Sequence, residues 1–121
     1  MLRLRKIEPT DLPYLYQWEN DARMWADSST HNPLSKADLH QYIESTTGDI
    51  YRDGQLRLMI EDEGVSMGCI DLFDFDPRNR KAAIGMYIAP HARGKGIGRQ
   101  SVRLLEEYAF DFLKLRMLYA I

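Results

Sequence analysis

Met86-Tyr87-Ile88-Ala89-Pro90-His91-Ala92-Arg93-Gly94-Lys95-Gly96-Ile97-Gly98 reads as an apolar strand entering a basic, glycine-rich turn and then a helix. With Gly94, Gly96 and Gly98 at alternate positions, no Cβ stands between the backbone and a ligand. Successive amide N–H groups in such a turn, joined by the unpaired N–H groups of a helix's first turn, form an anion site. Arg93, Lys95 and Arg99 place positive charge around it. The stretch is therefore a candidate phosphate or pyrophosphate cradle. A P-loop would need Gly-x-x-x-x-Gly-Lys followed by Ser or Thr, which is absent here. A dinucleotide fingerprint would need Gly-x-Gly-x-x-Gly near the first strand of a βαβ unit, with an acid about 20 residues on. Here the spacing is Gly-x-Gly-x-Gly, late in the chain and after several strand-like segments.

Composition suits one small soluble domain. At 121 residues the chain can bury one core but not two. Shares of 45% hydrophobic and 28% charged residues are ordinary for a globular protein. A net charge of −2 gives no general attraction to nucleic acid, so the basic turn is a local feature. Cys69 is alone, which excludes an internal disulfide, and no Cys/His spacing suggests a metal. It reads as a small buried hydrophobe. No apolar run approaches the roughly 20 residues of a membrane span. Met1-Leu2-Arg3-Leu4-Arg5 lacks the apolar core of a signal peptide. A cytoplasmic protein with no membrane or nucleic-acid partner is the expectation.

Leu2 to Ile7 alternates apolar and charged residues, as a half-buried strand does. Pro9-Thr10-Asp11 then punctuates, with Thr10 or Asp11 able to cap a helix carrying Pro13 near its first turn. Residues 26–34 are polar and rich in turn formers, which predicts a loop. Ser35 with Asp38 three residues on predicts a capping box, then a helix with Leu39, Tyr42 and Ile43 on one side. Leu56 to Glu61 and Ser66 to Phe75 are strands joined by an Asp62-Glu63-Gly64 turn, and Asp76-Pro77-Arg78-Asn79 leads into a strand from Lys81 to Ala89. Val102, Leu105, Tyr108, Ala109 and Phe112 form the apolar stripe of the next helix, and Arg116 to Ile121 is a final strand. The order is β-α-α-β-β-β-loop-α-β.

Arg93-Gly94-Lys95-Gly96-Ile97-Gly98 fits the pattern Gln/Arg-x-x-Gly-x-Gly/Ala and resembles the acetyl-CoA pyrophosphate loop of the GNAT N-acetyltransferase superfamily. The resemblance covers nearly the whole chain as a single domain, 1–121. It is most similar to the bacterial branch of spermidine/spermine and ribosomal-protein N-terminal acetyltransferases, through Trp25, Met67 to Leu72 and Ile84 to Gly98. It implies an α/β (α+β) acyl-CoA N-acyltransferase fold. In that fold a mixed, mostly antiparallel sheet carries flanking helices, and its fourth and fifth strands splay around the pantetheine arm. It also implies a further helix bearing an Asn and a Tyr, then two more strands, beyond Ile121. The domain is accordingly expected to be incomplete at its C-terminus, as part of a longer protein, as a chain completed by a partner subunit, or as a short member. The fold often pairs through its C-terminal strands, which implies a homodimer.

The implied reaction moves an acetyl group from acetyl-CoA to a primary amine. The acceptor would be a small molecule (polyamine-like or an amino sugar) or a protein N-terminus. A catalytically degenerate CoA-binding regulatory module is the alternative. The backbone N–H of Tyr87 or Ile88 could donate to the thioester oxygen, and the residues from Arg93 to Arg99, with Met86, Tyr87 and Ile88, would hold the cofactor. Relatives often carry a Glu on the fourth strand to take the amine proton. The matching Lys81-Ala82-Ala83-Ile84-Gly85 has no carboxylate, which leaves Asp71, Asp74 and Glu19 as candidates. Tyr87 faces core or cleft; His31 and His91 lie where an acceptor and the cofactor could come near. After Trp25 the chain offers only Asp27 before Ser28-Ser29-Thr30-His31, less acid than a polycation would call for.

Overall fold

In the computed structural model, which describes residues 1–20 and 35–120, the alternating segments pair into one five-stranded sheet. Strands β1 (Leu2–Lys6), β2 (Leu56–Asp62), β3 (Val65–Asp76), β4 (Lys81–Ile88) and β5 (Met117–Ala120) lie side by side in that order. The first four run antiparallel to their neighbours, and β5 runs parallel to β4. Glu63 and Gly64 alone join β2 to β3, at φ 51° and 79°. That left-handed pair matches the right-handed twist of the flanking strands. Asp76 closes the next turn by accepting from the Asn79 backbone N–H at 3.1 Å and its side-chain amide at 2.9 Å. Among the described residues the α-helices are α1 (Leu12–Glu19), α2 (Lys36–Ser45), α3 (Ile50–Asp53) and α4 (Ile97–Glu107). The expected order is observed among these residues, with the one-turn α3 as an addition. The chain forms two compact units, Met1–Lys6 with Thr47–Ile121, and Ile7–Thr46.

In the first unit α4 covers one face of the sheet. Ile60, Ile70, Leu72 and Ala82 from the strands are fully buried with Leu105 and Ala109, and Ile97 and Leu115 join the same cluster. Each such large aliphatic side chain contributes about 1.5–3 kcal/mol through removal from water. The predicted stripe holds at Leu105 and Ala109 but fails at Phe112, which is 79% exposed. Tyr108–Phe112 winds as a π-turn, with Leu113 N–H donating to Tyr108 O. The wider turn rotates Phe112 off the 3.6-residue stripe, where its ring stacks on Tyr108 instead.

In the second unit Leu15, Trp18, Leu39 and Ile43 are buried. The Ser35 capping box is present: Asp38 N–H donates to Ser35 Oγ and Ser35 N–H to Asp38 Oδ2, each at 3.0 Å. Asp11 precedes α1 as expected, yet its carboxylate does not cap it. A 3-10 turn at Pro9–Asp11 intervenes, and Asp11 Oδ2 accepts the Glu8 N–H at 2.8 Å. The expected loop at 26–34, with Trp25, Asp27 and His31, lies outside the described residues.

Candidate active site

Strand β4 delivers the chain to the glycine turn. Past Ile88, Pro90–Ala92 makes a short 3-10 turn, and Arg93 is extended at φ −72° and ψ 151°. Gly94 and Gly96 follow in the left-handed region, at φ 78° and 75°, and α4 begins at Ile97. Any other residue would be strained at those two positions. The bond from Gln100 N–H to Gly96 O, at 3.1 Å, opens the helical ladder. Among the described residues none of the amide N–H groups from Gly94 to Arg99 donates to a backbone carbonyl. No side chain caps the helix start, and its first turn carries no acid. A Cβ at Gly94 would meet nothing within 4 Å, and one at Gly96 only Gln100 Nε2 at 4.0 Å. The turn is therefore an open row of donors, with the exposed Lys95 and Arg99 beside it. Its chemistry fits a pyrophosphate.

Gly98 is different. Its φ is not left-handed, but a Cβ there would stand 3.0 Å from Met86 Cε and 3.9 Å from Ile88 Cγ1. It lets α4 close onto β4 and does not face the open space of the turn. Arg93 also departs from its expected place. Its Nε donates to Ile88 O at 2.8 Å, and its guanidinium lies 5.5 Å from the centre of the Tyr87 ring. The head group thus folds back onto β4.

The two backbone candidates for the thioester carbonyl separate on strand geometry. Ala89 N–H donates to Met67 O at 2.8 Å, so Ala89 turns its polar backbone groups toward β3. Alternate residues of a strand share an edge, which sends the Tyr87 N–H toward β3 as well. Met86 and Ile88 present theirs to the other edge. Strand β5 pairs only with Lys81 to Ile84 among the described residues. Ile88 is therefore the better-placed donor, and the Tyr87 side chain is buried.

Asp71 lies on the same face of the sheet as Tyr87, through the pairs Asp71–Gly85 and Cys69–Tyr87. Both its oxygens are engaged by Arg57, Nε to Oδ1 at 2.8 Å and Nη2 to Oδ2 at 2.9 Å. A carboxylate so forked has both oxygens committed to the guanidinium and neither turned to an incoming amine. Glu19 is buried at the end of α1, in the other unit. Asp74 is exposed at φ 47° in a bulge of β3, toward the Lys81 end of β4 and away from the glycine turn. His91 is exposed on the 3-10 turn, and His31 lies outside the described residues. Cys69 is buried, as expected of a small hydrophobe. Among the described residues no cluster of three His, Cys, Asp or Glu side chains could hold a metal, and no helix is long and apolar enough to cross a membrane. Gly68, within the Met67 to Leu72 segment, also shapes this region, because its missing Cβ lets β3 lie against the backbone of Tyr87 and Ile88. An isolated glycine inside a strand was the available signal for Gly68.

A family model for the acetyltransferase (GNAT) domain matches residues 1–121. The chain belongs to the GNAT acetyltransferase family. Spermidine N(1)-acetyltransferase of Escherichia coli (strain K12) is 28% identical over 123 aligned positions, covering 99% of this chain and 63% of that protein. YdaF of Bacillus subtilis (strain 168), provisionally named a ribosomal N-acetyltransferase, is 45% identical over 53 residues, which cover 44% of this chain and 29% of YdaF. The GNAT fold is shared with spermidine N-acetyltransferase from Vibrio cholerae, solved in complex with CoA and spermine. There the TM-score is 0.87 at 24% identity, covering 98% of this chain and 69% of that one. This GNAT chain spans 63% of the length of the E. coli enzyme it matches.

Proposed function

We propose that this protein is an acetyl-CoA-dependent N-acetyltransferase acting on a primary amine. The observation that carries the assignment is the open row of amides from Gly94 to Arg99 at the end of β4, in a chain of GNAT membership. Bound acetyl-CoA would supply the acetyl group as a thioester. Gly94, Lys95, Gly96, Ile97, Gly98 and Arg99 would hold its pyrophosphate through backbone N–H groups and positive charge. Met86 and Ile88 would lie along the cofactor, and the Ile88 N–H would donate to the thioester oxygen as charge grows there. Tyr87 would shape the wall from its buried position. Proton removal from the amine would fall to a group other than Asp71, whose two oxygens Arg57 occupies.

A polyamine-like small molecule is the first acceptor to test, because spermidine acetyltransferases are among the relatives. A protein N-terminus comes next, on the likeness to YdaF. That the family model runs over residues 1–121 supports both units belonging to one domain. A cytoplasmic location and homodimerisation are part of the same proposal. The second assignment, a CoA-binding module without turnover, would rest on the absence of a carboxylate from Lys81 to Gly85, and the likeness to acetyltransferases does not favour it.

Titration calorimetry with acetyl-CoA, beside an Arg93→Ala/Gly96→Ala chain, tests cofactor binding. Thiol release with spermidine, an amino sugar and a peptide N-terminus tests turnover. Saturable binding with turnover supports the enzyme; binding without turnover of any amine supports the module; no binding by the folded wild-type chain and none by a chain extended past Ile121 overturns both.

A further inference from the structure

The peptide group joining Ile88 to Ala89 is gripped at both ends. Its N–H donates to Met67 O on β3 at 2.8 Å, and its carbonyl accepts from Arg93 Nε at 2.8 Å on the opposite edge. The same guanidinium lies 5.5 Å from the Tyr87 ring centre, a cation–π distance. Arg93 is thus hydrogen-bonded to one residue of the strand end and stacked on the next, while its own backbone opens the glycine turn. Its side chain is half-buried, unlike the exposed Lys95 and Arg99. A side chain used this way has spent its Nε donor and one face of its plane on β4.

We infer that Arg93 acts as a positioning residue, a strut fixing the distance and angle between the end of β4 and the pyrophosphate turn, rather than as a phosphate ligand. The inference rests on the acetyl-transfer assignment for its functional consequence, but the strut itself is a property of the free chain. The two ends it joins would grip different parts of one cofactor: the turn its phosphates, the strand its thioester. An angular error between them moves the reacting carbonyl even when the phosphates remain held, and misplacement on the ångström scale is costly in rate. Lysine is not an adequate replacement, because it keeps the charge but lacks the planar head that stacks on Tyr87 and reaches Ile88 O at once.

The test uses Arg93→Lys and Arg93→Met with two acetyl donors, acetyl-CoA and S-acetylpantetheine, the second of which carries no phosphate. Because the bond to Ile88 O also fixes the strand end that would hold the thioester, the strut predicts that kcat/KM falls by roughly tenfold or more in both variants, with S-acetylpantetheine, which the turn does not grip, as well as with acetyl-CoA. It also predicts faster hydrogen exchange at the Ala89 amide in the ligand-free chain. A phosphate contact predicts a loss confined to acetyl-CoA and restored by lysine, with exchange at Ala89 unchanged; that pattern overturns the inference. Circular dichroism confirms that each variant is folded, and Arg93→Met keeps the side-chain length if lysine perturbs the fold. Were the wild-type chain inert with both donors and blind to CoA, the acetyl-transfer assignment would fall, and exchange at Ala89 would still decide the strut. Acceleration supports it and an unchanged rate overturns it.

Discussion

The Cβ that Gly68 lacks would stand 2.0 Å from the carbonyl oxygen of Tyr87 and 3.0 Å from Ile88 Cα. Those are backbone atoms of the neighbouring strand, and they cannot swing aside as a side chain can. Strand β3 presses on β4 here, opposite Ile88 in the register.

Gly68→Ala is therefore expected to cost roughly 3 kcal/mol, at the upper end of the range for overpacking. The loss should come with weaker CoA binding, because the strand end that shifts is the one next to the turn. Urea denaturation gives the first quantity and calorimetry the second. A neutral Gly68→Ala would mean the two strands are further apart than the structure has them.

The glycines of the turn should separate into two kinds. Gly94→Ala and Gly96→Ala enter open space but must hold a left-handed φ, at about 1–2 kcal/mol each. Gly98→Ala sits in the first turn of α4, where its nearest contacts are Met86 Cε, Met86 Sδ and Ile88 Cγ1; the tightest is the far end of a flexible side chain that is 44% exposed and can give way. Alanine's better helix propensity, up to about 1 kcal/mol, offsets the contact. The urea midpoints should fall for the first two variants and stay near wild type for Gly98→Ala, while all three lose affinity for CoA if the cofactor passes over Met86.

Asp71→Asn should lower stability by about 1–3 kcal/mol, since it replaces the charged, two-oxygen acceptor of a partly buried guanidinium with a neutral amide. It should leave the pH dependence of acetyl transfer unmoved. An acidic limb that disappears from the kcat/KM profile in this variant would reinstate Asp71 as the base.

Stability should decline at both ends of the pH scale, for different groups. Hydrogen bonds from Arg5 and then Arg3 hold Glu61 below its ordinary value of 4.5. Asn79 does the same for Asp76, whose ordinary value is 3.8. Depressed folded values mean that the unfolded chain binds protons first on acidification. Their contribution is complete above the ordinary values and is lost as pH falls through the folded ones. Burial, and secondarily the charge of Asp49, raises Tyr108 above its ordinary 10.0. Its contribution is complete below 10.0 and lost as pH rises through the folded value. Urea midpoints across pH should flatten on the acid side in Glu61→Gln and on the alkaline side in Tyr108→Phe. The share of the acid effect that comes from the exposed Arg3 should shrink in salt.

Local signals were legible because they depend on few neighbours. Alternation marked β1, Ser35 and Asp38 marked the start of α2, and Glu63-Gly64 marked the hairpin, each through backbone sterics or bonds within four residues. Arg93 to Gly98 announced an anion site in the same way, since its donors and its left-handed glycines are adjacent in sequence. What failed needed a partner far along the chain. Phe112 lies on the right helical period, but the π-turn that displaces it is a feature of how the helix ends. Asp71 is a plausible base until Arg57, on the strand beside it, occupies both oxygens. Tyr87 and Ile88 are equivalent in a linear string, and only pairing with β3 decides which N–H remains on the open edge. Sequence by itself determined the element order, the turn and its charge, because those follow from residue type and spacing. The tertiary structure alone decided which glycine carries φ and which carries packing, and where the Arg93 head group goes. Both depend on atoms that only the closed sheet and its helix bring within a few ångströms.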